Sequence, residues 1–165
     1  MRSFLRYWLP VLLWALFISW MSTDAGSPRH TSRLIGPFLH WIYPHIRDET
    51  VAQVQYFVRK TAHVTEFGLL AVLLWRARRR AFWGDPRPWR KSEAAFAIIV
   101  AVLFAMVDEW HQTFVPGREG RAADVLIDGA GALAAMLVVR WIHQRWQQPL
   151  NAAMQEDEQE PSSAV

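Results

Sequence analysis

The run Ala94-Ala95-Phe96-Ala97-Ile98-Ile99-Val100-Ala101-Val102-Leu103-Phe104-Ala105-Met106-Val107 passes without a break into Asp108-Glu109-Trp110-His111-Gln112-Thr113-Phe114-Val115-Pro116-Gly117-Arg118. As a helix, the uncharged part rises about 21 Å at 1.5 Å per residue, short of the roughly 30 Å of a hydrocarbon core. A helix that crosses must therefore continue through Asp108, Glu109 and His111 to near Phe114. Ionisable groups then enter the membrane, at a cost of roughly 2.5–3.5 kcal/mol each at mid-bilayer, so they are read first as functional or pairing sites.

Working outward, three more apolar stretches complete an all-α, polytopic pattern of four transmembrane helices, at about 5–21, 56–75, 93–114 and 122–143. Tyr7, Trp8 and Trp20 flank the first run as interface anchors, and Pro10 is placed in its first turns, where proline is tolerated. No small-x-small cleavage site follows, so the run reads as an uncleaved anchor. The chain of 165 residues is 52% hydrophobic, yet its mean hydropathy is only +0.02 because arginine-rich loops and a polar end dilute the spans. The absence of cysteine excludes disulfides, thiolate metal ligands and a cysteine nucleophile.

Arg76, Arg78, Arg79, Arg80, Arg87, Arg90 and Lys91, opposed only by Asp85, lie between spans two and three. The positive-inside bias assigns this loop to the cytoplasm, and four spans then bring both termini there too. A basic patch for nucleic acid would leave the apolar runs without a purpose, so no nucleic-acid partner is read. Residues 1–145 form the transmembrane domain, and 146–165, rich in Asp and Glu, are expected to be a disordered cytoplasmic tail. The outer loop from Ser22 to Gln55 carries an aromatic segment suited to a short interfacial helix.

In this topology the polar ends of spans two, three and four coincide at the outer leaflet. Lys60, His63 and Glu66 stand near the start of span two, with Asp108, Glu109, His111 and Gln112 at the end of span three. Arg118 and Arg121 occupy the turn that follows, and Asp124 and Asp128 open span four. Asp108, His111 and Gln112 share one face by i, i+3, i+4 spacing, and Gly131 and Ala135 continue the Asp124–Asp128 stripe with small residues that admit a close neighbour. Five carboxylates, Glu66, Asp108, Glu109, Asp124 and Asp128, face three cations, Lys60, Arg118 and Arg121. If all share one cavity, two negative charges remain, to be met by protons or by a cation.

The blocks Arg59-Lys60-Thr61-Ala62-His63-Val64-Thr65-Glu66-Phe67-Gly68-Leu69-Leu70, Asp108 to Arg118, and Asp124-Val125-Leu126-Ile127-Asp128-Gly129-Ala130-Gly131 resemble the VanZ-like family. The ordered patterns K-x-x-H, D-E-x-x-Q-x-x-x-P-G-R and D-x-x-x-(N/D)-x-x-G carry the likeness. It implies a small integral protein of the bacterial cytoplasmic (inner) membrane and cell envelope, in a family linked through its namesake to resistance to the glycopeptide antibiotic teicoplanin. The family positions fall on Lys60, His63, Asp108, Glu109, Gln112, Arg118, Asp124 and Gly131. Phe67 stands where tyrosine is common and Asp128 where asparagine is frequent.

Three functional readings stay open. In the first, Lys60, His63, Asp108, Glu109, Gln112, Arg118, Arg121, Asp124 and Asp128 line an outward-facing site that binds an anionic envelope component. That ligand would be a lipid-linked or peptide-bearing cell-wall precursor, with membrane lipids as general partners. Arg118 and Arg121 would receive the anion, Lys60 and His63 would contact it deeper, and Asp108, Glu109 and Asp124 would hold those cations. In the second, an intramembrane hydrolase or transferase uses His63, Glu66, Asp108 or Glu109 as general acid or base. In the third, the charges only pair to register the helices. The nitrogen and oxygen donors would suit a divalent metal, but no spacing as specific as HExxH occurs, so no metal and no cofactor is assigned.

Overall fold

In a computed structural model, the described residues are 2–23, 28–80, 85–116, 118 and 120–159. Five helices follow in order: α1 Arg2–Met21, α2 Pro28–Ile42, α3 Asp48–Arg79, α4 Lys91–Gln112 and α5 Ala122–Gln159. Three of them, α1, α4 and the first part of α5, are long and apolar enough to cross a membrane. Helix α3 is the hub of the bundle and packs against α1, α2, α4 and α5.

Helix α4 divides into a face of small residues turned inward and a face of large residues turned out. On α4, Ala94, Ala97, Ala101 and Ala105 are buried, whereas Ile99, Leu103, Met106 and Val107 are exposed. Without a hydrophobic force between helices in lipid, small interfacial residues gain contact by letting backbones approach. The outward Leu5, Leu9, Leu12, Leu13 and Leu16 of α1, and Leu126, Leu133, Leu137 and Val138 of α5, form an apolar exterior.

Several element boundaries differ from those read in the sequence. The α1 helix begins at Arg2, so Pro10 lies well inside it rather than in its first turn. Proline lacks the N–H that would bond the carbonyl four residues back; that carbonyl, of Arg6, accepts instead from the Arg76 guanidinium of α3 at 3.2 Å. The aromatic segment expected to be interfacial forms the helix α2, with Phe38, Trp41 and Ile42 exposed on it and Tyr43 exposed just after it. Helix α4 stops at Gln112, two residues before Phe114, and unwinds through i→i+3 bonds ending at Val115 N–H to Gln112 O. Pro116 disfavours helical backbone at the residue before it, which accounts for the earlier end.

Beyond 146 the α5 backbone is helical through Gln159. Ala152, Ala153, Met154 and Gln155 favour helix, and Gln147 Nε2 ties this part of α5 to the carbonyls of Pro86 and Arg87, both at 3.1 Å. Residues 160–165 lie outside the described residues.

The basic loop is folded rather than merely charged. The Arg79 side chain, only 1% exposed, donates to Asp85 at 2.7 Å, Glu93 at 2.8 Å, the Pro88 carbonyl at 3.2 Å and the Arg87 carbonyl. Trp75 stacks on Trp89 at 5.6 Å beside it.

Candidate functional site

The inward stripes of α3, α4 and α5 turn polar at the same end of the bundle. On α4 the buried positions 94, 97, 101 and 105 continue at Asp108, Glu109 and Gln112; on α5 the buried positions 139, 136 and 132 lead back to Asp128. On α3 the fully buried Phe67 is followed one turn earlier by His63. Helical periodicity therefore carries the core register straight into the acids and bases, which is why these charged groups are sheltered rather than turned to lipid.

Close backbone approach fixes the α3–α5 crossing. A Cβ built on Gly131 would stand 2.5 Å from the Val64 carbonyl oxygen and 3.0 Å from its Cα, and one on Gly68 would meet the Gly131 carbonyl at 3.3 Å. The small-residue contact expected at Gly131 is thus present. Gly120 is equally confined, because its Cβ would land on the Glu109 carbonyl oxygen.

Lys60 of α3 forms an ion pair with Asp124 of α5. Asp108 Oδ2 accepts from Gln112 Nε2 at 2.8 Å, one turn along α4, and from Ser22 Oγ at 2.7 Å. Glu109 Oε2 accepts from the Arg121 amide at 2.8 Å. His63 Nδ1 lies 3.5 Å from Asp128 Oδ1, within ion-pair reach but long for a hydrogen bond. Arg118 Nη2 donates to the Met21 carbonyl at 2.7 Å, and Trp14 Nε1 to the Glu66 carbonyl at 2.9 Å, so both bind α1 to the polar end.

Most of the residues singled out in the sequence therefore meet: Lys60, His63, Glu66, Asp108, Glu109, Gln112, Arg118, Asp124 and Asp128. His111 does not join Asp108 and Gln112 but points outward, exposed. The Arg121 side chain is also exposed, and its backbone amide is the group bonded to Glu109. Of the acids expected to hold cations, Asp124 holds Lys60, whereas Asp108 is bonded by Ser22 and Gln112. Gly117 and Glu119 of the connecting turn lie outside the described residues.

Two residues escaped the sequence reading. Ser22, buried at the end of α1, supplies a hydroxyl to Asp108, and Arg59 lines the cavity described next. Ser22 was open to detection, since the first apolar run ends beside the level where the polar groups of the other helices gather. Arg59 was hidden by treating Lys60 as the only cation of its turn.

A cavity of about 90 Å³ opens beside this cluster, where Met21, Ser22, Ile35, Val58 and Ala62 meet the polar Arg59, His63, Glu66 and Arg118. Deeper in, His63, Glu109 and Asp128 bring one donor atom each to within 4.8 Å of one another, the grouping here that could hold a metal. Compared with known families, residues 7–143 match VanZ/LLP1. No curated protein and no solved structure matches the chain.

Proposed function

The chain belongs to the VanZ/LLP1 family, and on that premise we propose that it is a four-span protein of the bacterial cytoplasmic membrane whose polar end faces outward and binds an anionic envelope component. Helix α3 serves as the fourth crossing: its 32 residues suffice in length, and its polar groups at Lys60, His63 and Glu66 are sheltered by neighbouring helices. The seven cations from Arg76 to Lys91, on the end of α3, the start of α4 and the loop that joins them, belong in the cytoplasm, with both termini, by the positive-inside bias.

The observation that carries the binding reading is the cavity, which sets two arginines and His63, against the one carboxylate of Glu66, beside an apolar wall. A charged head group would meet Arg59 and Arg118, with His63 deeper, while Met21, Ile35, Val58 and Ala62 accept an acyl or polyprenyl chain. A lipid-linked or peptide-bearing cell-wall precursor has that division of chemistry. Lys60 and Asp124 brace the helices behind it, and glycopeptide susceptibility of a deletion strain is the phenotype that follows from the family's link to teicoplanin.

Native mass spectrometry of the detergent-purified protein tests this reading. An anionic lipid should co-purify, and Arg59→Ala should weaken its binding about 10- to 100-fold, the loss of one charge-assisted hydrogen bond. Arg59→Ala is a cleaner probe than Arg118→Ala, since Arg118 also ties α1 through Met21. Binding of zwitterionic and anionic lipids alike, unchanged by Arg59→Ala, would refute it.

One geometric feature favours a second reading, an intramembrane hydrolase or transferase. His63 both lines the cavity and stands beside Asp128, as an imidazole oriented to act as a general base would. In that case His63→Ala abolishes turnover of the bound lipid while leaving its affinity intact.

A further inference from the structure

The innermost acids of the polar end take no part in the proposed anion contact. Glu109 and Asp128 are 5% and 1% exposed. Although Glu109 Oε2 is bonded by the Arg121 amide, Glu109 Oε1, both oxygens of Asp128 and Nδ1 of His63 are buried without a hydrogen-bond partner. Buried polar groups are nearly always satisfied, so four such atoms on three residues that group together from three helices call for an occupant.

We propose that His63, Glu109 and Asp128 form a binding site for a divalent transition-metal cation of zinc or manganese character, held by one side chain from each of α3, α4 and α5. One imidazole and two carboxylates, without sulfur, suit these ions. Their combined charge, with neutral histidine, cancels that of a divalent ion, as a low-dielectric interior requires. Donors around a tetrahedral zinc at about 2.0–2.1 Å stand roughly 3.4 Å apart, so the grouping within 4.8 Å closes onto an ion by small side-chain rotations. The Arg121 amide on Glu109 Oε2 is the kind of outer contact that orients a metal-binding carboxylate. Three protein donors leave a coordination position on the ion for water or a ligand, and His63 also lines the cavity. The ion requires only these side chains and binds whether or not the cavity takes an anion.

The test is metal titration of the full chain in detergent, stripped with chelator and dialysed against zinc or manganese, read by elemental analysis and thermal unfolding. One ion per chain is expected, with a rise in the unfolding midpoint that chelator reverses. Glu109→Gln and Asp128→Asn should each weaken binding by more than about 100-fold, exceeding the ~10- to 100-fold loss typical of outer contacts. Wild-type protein that takes up no stoichiometric zinc or manganese overturns the site, as does Asp128→Asn that binds as tightly as wild type. If the variants fail to fold, the wild-type titration decides. Retained lipid binding beside a failed metal titration would remove the ion alone.

Discussion

Single atoms decide the geometry of the polar end. Gly131 stands against the backbone of Val64, which cannot move aside as a side chain can, whereas a Cβ on Gly129 would meet only the Val102 side chain at 3.3 Å. Gly131→Ala is therefore expected to destabilise the protein by about 1–3 kcal/mol through overpacking, seen as a lower unfolding midpoint in detergent. Gly129→Ala should be near neutral; equal midpoints for the two variants would contradict the close crossing. The glycine and its stripe were visible in the sequence. The partner carbonyl was not, because an inter-helix contact has no trace in local periodicity. The same limit hid Ser22, whose bond to Asp108 joins residues 86 positions apart.

At the scale of elements, the i, i+3, i+4 rhythm of α4 made the polar extension to Asp108, Glu109 and Gln112 readable, since the same rhythm positions the buried alanines. It could not separate His111, which also satisfies helical spacing yet faces out. The basic stretch around the end of α3 shows a complementary point: its cations carry the proposed orientation by number, but one of them, Arg79, is a buried tie. The Arg87 guanidinium, then Arg79, hold the Asp85 carboxyl well below the usual carboxylate range. A depressed carboxyl contributes stability that is complete above its unfolded value near pH 4 and is lost as pH falls toward the folded one. Asp85→Asn should therefore lower the unfolding midpoint by an amount that is constant above about pH 5 and shrinks below about pH 4. A deficit independent of pH down to pH 2 would dissociate Asp85 from this role.

For the molecule as a whole, the proposed orientation gives a direct expectation. The chain has no cysteine, so a single introduced thiol is the sole reactive one. A cysteine at position 41, in the exposed aromatic end of α2, should react with an impermeant reagent in intact spheroplasts; one at position 87 should react only after permeabilisation. The reverse pattern would invert the protein and the proposed ligand with it. Apolar runs, interrupted by acids at recurring helical spacing, determined from the sequence alone that this is an all-helical chain with membrane-length apolar helices, and ordered polar motifs determined its family. Both are properties of neighbours along the chain. Tertiary structure decided which charges meet: that Lys60 takes Asp124, that Asp108 takes Ser22, and that His63, Glu109 and Asp128 are left facing one another. Those pairings depend on how far each helix is rotated and how closely α3 and α5 cross, and packing between distant segments sets both.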